Sequence, residues 1–152
     1  MKVLIILLLL MIELSAVSTN ELVGKWQAQR KVTNNGTLTI EKEYLTLNGN
    51  HTFSILGFVS VRKEDAFIKD MRIDVSGIWK VWSNTVVLVV KKVEVPNAAE
   101  IYRISQASLR NFAATFKRKY ENQPIHINKI MALDPNHLKW INEKEVVTTY
   151  SR

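Results

Sequence analysis

The residues that could do chemistry are few and scattered in this chain. It has three histidines, His51, His126 and His137, and no cysteine. The sequence contains no His-x-x-x-His or Gly-x-Ser-x-Gly element, the motifs of zinc and serine hydrolases. The histidines also lack the spacing typical of metal ligands. We therefore predict that the protein is not an enzyme and that it uses no metal and no other cofactor.

Two pairs of carboxylates lie close together in the sequence, Glu41 with Glu43 and Asp65 with Asp70. Paired carboxylates can act as general acid and base when their environments separate their pKa values. Exposed pairs are common on protein surfaces, and we interpret both pairs in that way. A hydrolase or isomerase would need an ionisable group inside the fold with a matched partner, and the sequence nominates none.

Positive charge dominates, with a net charge of +7 and a pI near 9.7. Arg103, Arg110 and Lys117 recur every seven residues, and Arg118 and Lys119 extend the same basic stripe. Such a stripe on a helix could contact an anionic membrane surface or an acidic protein. The alternative is the ordinary solvent-facing side of an amphipathic helix. No nucleic-acid-binding motif accompanies the charge, so we expect no nucleic-acid partner.

The chain begins with a segment typical of a signal peptide. Lys2 precedes the apolar run 3–12, and the small residues 16–18 offer a cleavage site. The run is shorter than the ~20 residues of a spanning helix, although an uncleaved anchor remains the alternative. We predict that residues 1–18 are removed and that residues 19–152 form one secreted or periplasmic domain. The lack of cysteine favours a bacterial origin, because small exported eukaryotic domains usually carry disulfides.

Turn-forming residues and alternating hydrophobicity predict eight strands. Asn34-Asn35-Gly36 and Asn48-Gly49-Asn50 tolerate the positive φ of tight hairpins, and Asp134-Pro135-Asn136 suits a type I turn. Residues 62–69 are interpreted as a charged connection. The predicted strands are residues 25–33, 37–47, 51–61, 70–82, 85–95, 125–133, 137–141 and 146–150.

The hydrophobic period changes between the fifth and sixth predicted strands. Apolar residues there recur at steps of three to five, as on one face of a helix. They are Ile101, Ile104, Leu109, Phe112, Phe116 and Tyr120. We predict one helix within residues 98–121, with a capping box at 97–100 and an end at Gln123-Pro124. Residues 98–104 could instead extend the fifth strand.

Closing eight antiparallel strands into a barrel removes the edges that would invite aggregation. The sequence therefore predicts a mainly β protein, an eight-stranded antiparallel up-and-down barrel with one amphipathic helix inserted before the last strands. A barrel of this size is either filled by side chains or wide enough for one small ligand. Both possibilities remain open from the sequence.

The order of several motifs resembles the lipocalins, and more closely the short bacterial lipocalin-like proteins. Leu22-Val23-Gly24-Lys25-Trp26 is similar to the opening Gly-x-Trp motif of that family. Residues 44–53 resemble its second and third strands, and 76–90 its next hairpin. Residues 130–152 resemble its closing strands. The resemblance implies an exported protein that binds or carries a small hydrophobic ligand, such as a lipid or fatty acid, in the barrel lumen.

The resemblance also implies roles for individual residues. In the family the opening Trp closes the barrel floor and an Arg near the chain's end packs across it. Carried over to this sequence, these structural roles fall on Gly24, Trp26 and Arg152. A cation against an aromatic ring contributes about 0.5–2 kcal/mol. The alternative for Arg152 is a frayed terminal residue.

A ligand in the lumen would contact the inward-facing side chains of the strands. Trp79 and Trp82 lie three apart, so they point to opposite faces of a regular strand. Arg62 and Arg72 are the candidate polar anchors for a ligand carboxylate; their alternative is a solvated position. The predicted lumen residues are Tyr44, Phe53, Ile55, Trp79, Val81 and Trp140.

Two functional hypotheses follow from these predictions. The first is a binding protein that carries a small apolar ligand in an open lumen. The second is a non-catalytic protein-interaction or inhibitor module that uses the basic helix on a barrel filled by its own side chains. The aromatic residues would then form a ligand-free core.

Overall fold

A computed structural model describes residues 16–152 of the protein. Most of the predicted signal peptide lies outside the described residues. Within them, no helix has both the length and the apolar character needed to cross a membrane.

Eight antiparallel strands close into a barrel in the order β1-β2-β3-β4-β5-β7-β8-β9, with β9 returning to β1. This confirms the predicted fold class. The short strand β6 pairs with the first part of β4 outside the closed ring. The elements are α1 (Thr19–Leu22), β1 (Gly24–Asn34), β2 (Thr37–Leu47), β3 (Thr52–Lys63), β4 (Ala66–Trp82), β5 (Thr85–Glu94), β6 (Glu100–Tyr102), α2 (Gln106–Asn122), β7 (Ile125–Leu133), β8 (His137–Asn142) and β9 (Val147–Ser151).

The predicted strand positions agree with these bounds, except at the connection predicted over residues 62–69. There the β3–β4 hairpin continues to a tight turn between Lys63 and Ala66, with Glu64 at φ 54°. The prediction of a loop was wrong because charged residues were taken as a break in pairing. These side chains are mostly exposed, which a hairpin beyond the barrel rim allows.

The first hairpin turn follows its sequence signal, with Asn35 at φ 47° and Gly36 at φ 74°. Both central residues of a type I′ turn need positive φ, which Asn and Gly tolerate. In the second turn the positive φ falls on His51, at 63°, instead of on Gly49. The turn is held by the Asn50 Oδ1 atom, which accepts from the Thr52 backbone N–H at 3.1 Å.

Helix α2 begins later than predicted. Its N-cap is Ser105, whose Oγ accepts from the Ser108 backbone N–H at 3.0 Å, so the predicted capping box at 97–100 was wrong. The residues before it form neither helix nor an extension of β5, because β6 pairs with Phe67 to Lys69 of β4. The helix ends at Asn122, just before the predicted Gln123-Pro124 stop.

The buried core lies along the inner faces of the strands. Trp79 is 2% exposed and Trp82 is 86% exposed, as expected for residues three apart on one strand. Gly77 lies at a register shift between β4 and β5, where an added Cβ would collide with the Val89 carbonyl oxygen. The largest fully buried side chains are Trp26, Trp79, Phe53, Leu22, Leu45, Leu47, Met71, Leu138, Val75 and Val86.

Candidate ligand chamber in the barrel

One end of the barrel is closed by α1, Trp26 and the C-terminal residue. The Trp26 indole is buried and its Nε1 donates to the carbonyl oxygen of Leu22 at 2.8 Å. The guanidinium carbon of Arg152 lies 4.2 Å from the centre of that indole ring. The indole thus lies between the barrel core and a cation.

Arg152 is also anchored by hydrogen bonds. Its Nη2 donates to the carbonyl oxygens of Glu21 and Val23, each at 3.0 Å. Gly24 has φ +139°, and an added Cβ would lie 3.4 Å from the Arg152 guanidinium. A larger residue at Gly24 would therefore be strained and would crowd the cation. These contacts link the two ends of the described chain at the floor of the barrel.

Above this floor the barrel encloses a chamber of about 460 Å³. Small-molecule sites typically measure about 300–1,000 Å³, so the chamber is large enough for one small ligand. Its apolar wall includes Phe53, Ile55, Leu88 and Trp140. Three of the predicted lumen residues, Phe53, Ile55 and Trp140, therefore line the chamber.

The other three predicted lumen residues lie elsewhere. Trp79 is buried away from the chamber, and its Nε1 donates to the Asn48 carbonyl oxygen at 3.0 Å. Val81 is half-buried against the core. Tyr44 is 43% exposed, and its ring packs edge-on against Phe58 at 6.2 Å on the outer face. The prediction that Tyr44 faces the lumen was wrong. Glu43 and Leu45, its neighbours on β2, face inward, so the Tyr44 side chain faces outward.

The two predicted polar anchors also lie on the outer face. The Arg62 guanidinium carbon is 5.7 Å from the centre of the Phe67 ring, and the side chain is exposed. Arg72 pairs with Asp74 at 2.9 Å. Neither arginine lines the chamber. The structure therefore places both predicted anchors outside the lumen: Arg72 alternates with the buried residues Met71 and Ile73 on β4, and Arg62 lies on the exposed end of β3.

The chamber instead contains the carboxyl of Glu43 on β2, a half-buried residue that lines it. The Tyr150 hydroxyl donates to Glu43 Oε1 at 2.5 Å, and the Tyr150 ring packs edge-on against Trp140 at 5.0 Å. Burial raises the pKa of Glu43, although the Tyr150 hydrogen bond opposes this. Burial and the nearby carboxyl raise the pKa of Tyr150, so Tyr150 keeps its proton. Glu43 lies opposite Ala28 in the β1–β2 register, and that small residue leaves space beside the carboxyl.

Three further polar residues line the chamber near β7 and the end of α2. Asn128 is 5% exposed, and its Nδ2 has no hydrogen-bond partner among the described residues. His126 Nε2 is likewise without one, and burial lowers the pKa of His126. The His126 ring lies 5.6 Å from that of Tyr120, whose pKa is raised by burial and by Glu43. Two residues that line the chamber thus carry buried polar atoms without a hydrogen-bond partner among the described residues.

The end of α2 covers the mouth of the chamber. The Gln123 side chain donates to Glu143 Oε1 at 2.6 Å, and Glu143 Oε2 accepts from the Ile127 backbone N–H at 2.9 Å. These bonds connect the segment after α2 to β7 and to the turn between β8 and β9. Lys119 and Lys144 are exposed and border the same mouth. The cationic side chains therefore lie at the entrance.

The polar residues of the chamber were missed by the sequence analysis, although a signal existed. Glu43 has the same parity as Leu45 and Leu47 on β2, and Asn128 has the same parity as Ile130 on β7. The earlier interpretation of Glu41 and Glu43 as surface charges was therefore wrong for Glu43. A charged residue that shares the alternation of two buried leucines indicates a carboxyl on the inner face of the strand.

This arrangement has defined chemical capabilities. A carboxyl with a raised pKa can donate a hydrogen bond in its neutral form or exchange a proton with a ligand. The Glu43–Tyr150 pair supplies the ionisable group and partner that the sequence could not nominate for catalysis. Within residues 16–152, no group of three or more histidines and carboxylates could hold a metal ion.

A second depression, of about 580 Å³, lies outside the barrel between α2 and strands β4 and β5. It is larger than the chamber, but Arg72, Asp74, Glu94 and Lys117 border it. Apolar ligands gain most from a site that removes them from water, and this groove is more open to solvent than the chamber. The chamber is therefore the better candidate for an apolar ligand.

The basic stripe differs from its prediction. Arg103 lies before α2, has φ 52° and pairs with Asp65 of the β3–β4 turn. Lys117 pairs with Glu121 at 3.7 Å. Arg110 and Arg118 are exposed and form no ion pair with any described residue. The helix thus presents a shorter basic surface than the seven-residue repeat predicted.

The fold and chamber define an eight-stranded antiparallel barrel protein with a helix-covered lumen. No protein-family model matches the chain, and comparison with curated proteins finds no significant similarity. One barrel architecture serves many functions, so the fold does not identify a lipocalin.

Proposed function

We propose that this protein binds or carries a small hydrophobic ligand, lipid-like or fatty-acid-like, inside the barrel lumen. The observation that supports the proposal is the chamber of about 460 Å³ walled by Phe53, Ile55, Leu88 and Trp140. A barrel filled by its own side chains would leave no such space. We further propose that the protein acts after export, secreted or in the periplasm, because its leader resembles a signal peptide.

The proposed mechanism is burial without chemical change. Moving apolar ligand surface out of water contributes roughly 25 cal/mol per Å², before the cost of immobilising the ligand. The closed floor at Trp26 blocks one end, so the ligand enters past α2. Helix α2 has no fully buried residue, and this weak packing favours local opening at the mouth.

The test is to fill the chamber without changing the outer surface. Ala28 lines the chamber, so Ala28→Trp is expected to reduce uptake of a fluorescent apolar probe at least tenfold. Ala114 borders the outer groove, so Ala114→Trp is the matched control and is expected to bind normally. Equal binding by both variants, with unfolding curves showing both folded, would contradict the lumen as the site. Loss of binding only in Ala114→Trp would assign the outer groove.

A second candidate is a protein-interaction or inhibitor module, in which α2 contacts an acidic protein or an anionic membrane surface. The observation that favours it is the exposure of Arg110 and Arg118 without ion-pair partners in the described chain. Binding of this kind weakens as salt increases. Arg110→Glu with Lys117→Glu should abolish partner capture and leave uptake of apolar ligand unchanged. Loss of apolar uptake with retained partner capture would refute it.

A further inference from the structure

The chamber contains an unused hydrogen-bond donor that points to the chemistry of the ligand. Asn128 is 5% exposed and lies on β7 opposite Val86 of β5 and Asn142 of β8. Its Nδ2 atom is buried without a partner among the described residues, and the residue Asn128 lines the chamber. Leaving such a buried donor unsatisfied costs about 1–3 kcal/mol. A ligand atom that accepts a hydrogen bond would remove this cost.

Glu43 can present a second donor to the same space when its carboxyl is neutral. Burial favours the neutral carboxylic acid over the carboxylate, as the raised pKa of Glu43 indicates. The Tyr150 hydroxyl already donates to Oε1, so this oxygen is occupied as an acceptor. In the neutral form of Glu43, the proton of the other carboxyl oxygen is available to a ligand. No hydrogen bond joins this proton to another described side chain.

The charges around the chamber argue against an ionised ligand head. Three cationic residues border it, Arg30, Lys119 and Lys144. The Arg30 side chain is bonded to Glu41 at 2.5 Å, and the two lysines are exposed at the mouth. A ligand carboxylate beside Glu43 would face a second acid, and the cations nearest to it are either paired with Glu41 or exposed to solvent at the mouth. An ammonium group would leave the Asn128 donor unsatisfied.

We propose that the lumen ligand carries an uncharged oxygen, as a ketone, aldehyde, ester or alcohol does, and that Asn128 and Glu43 donate hydrogen bonds to it. This inference rests on the proposed function and specifies the ligand class of the same site. The expected ligand is therefore a neutral oxygenated lipid, whereas a basic anchor would have favoured an ionised fatty acid.

The experiment compares eight-carbon ligands that differ only at the head, by displacement of a fluorescent apolar probe from the full chain. The ligands are 2-octanone, 1-octanol, octanoate, octylamine and n-octane. We expect 2-octanone and 1-octanol to bind about tenfold more tightly than octane, as two modest hydrogen bonds would give. We expect octanoate and octylamine to bind no better than octane at neutral pH.

Two substitutions assign the effect to the named donors. Asn128→Leu should lose most of the preference for 2-octanone over octane and keep octane binding. Glu43→Gln retains an amide donor and should keep the preference, whereas Glu43→Leu should reduce it severalfold. Thermal unfolding of each variant checks its folding, and the comparison of ligands on the unsubstituted chain requires no variant.

The outcomes distinguish the inference from the proposed function. If octane binds and 2-octanone binds no better, the ligand class is wrong and the lumen site stands. A preference for octanoate or octylamine also overturns the ligand class. If no member of the series binds, octane included, the proposed function fails and the inference fails with it.

Discussion

The hydrogen bond between Tyr150 and Glu43 offers the sharpest test of the chamber's polar side. Tyr150→Phe removes the hydroxyl that donates to Glu43 Oε1 at 2.5 Å and keeps the buried ring against Trp140. Because the ring volume is nearly unchanged, little cavity cost is added. The perturbation therefore isolates one partly buried hydrogen bond.

The expected loss of unfolding free energy follows from the unpaired polar group that Tyr150→Phe leaves. Glu43 would retain a desolvated carboxyl oxygen without its donor, which costs about 1–3 kcal/mol of unfolding free energy. For a domain of this size, 1 kcal/mol changes Tm by about 4 °C, so we expect a decrease of about 4–12 °C. Tyr44→Phe removes an exposed hydroxyl and is expected to change the unfolding free energy by less than about 0.5 kcal/mol.

The assay is urea unfolding followed by circular dichroism for Tyr150→Phe, Glu43→Leu and the double variant. Removing both partners is expected to cost less than the sum of the single substitutions, because neither polar group is then left unpaired. If Tyr150→Phe unfolds like Tyr44→Phe, or if the two costs simply add, the hydrogen bond between Tyr150 and Glu43 does not form in solution.

Three further predictions concern the floor, the wall and the buried acid. Arg152→Ala should lower the unfolding free energy by about 1–3 kcal/mol, since it removes the contact with Trp26 and two hydrogen bonds; urea unfolding of Arg152→Lys separates charge from stacking. Gly77→Ala should lower Tm strongly, because the new Cβ meets the Val89 carbonyl oxygen; calorimetry measures the decrease, and an unchanged Tm would contradict the close approach. Because burial raises the folded-state pKa of Glu43, its contribution to stability should be fully present below the ordinary Glu range and should decrease as pH rises through the raised pKa. Glu43→Gln should lack this decrease in a pH series of unfolding curves, and a parallel pH profile would refute the buried acid.

The barrel could be predicted from the sequence because its signals are local. Asn35-Gly36 specifies a hairpin turn, and the alternation of β2 defines a strand whose bounds match the prediction. The prediction of a loop over residues 62–69 was wrong because charged residues can continue a solvated hairpin as easily as they end one. The prediction for residues 98–104 was wrong because the pairing of β6 with β4 is non-local.

The chamber was less predictable because the direction of a side chain depends on its register with neighbouring strands. Tyr44 was assigned to the lumen by its aromatic type, but parity with Trp26 through the β1–β2 register places Glu43 inside instead. Hydrophobicity favoured Tyr44 over Glu43 as the inward-facing residue, since removing an acid from water is costly. The hydrogen bond from Tyr150, which lies 107 residues away in the sequence, is a tertiary contact that no local pattern indicates.

The most direct test of a ligand-binding lumen is native mass spectrometry of the protein purified from its own host, beside Ala28→Trp prepared in the same way. We expect the unsubstituted protein to retain a small molecule that organic solvent extracts, and the Ala28→Trp protein to lack it. A chain that carries no bound molecule and takes up no apolar probe, with its barrel intact by circular dichroism, would contradict the account.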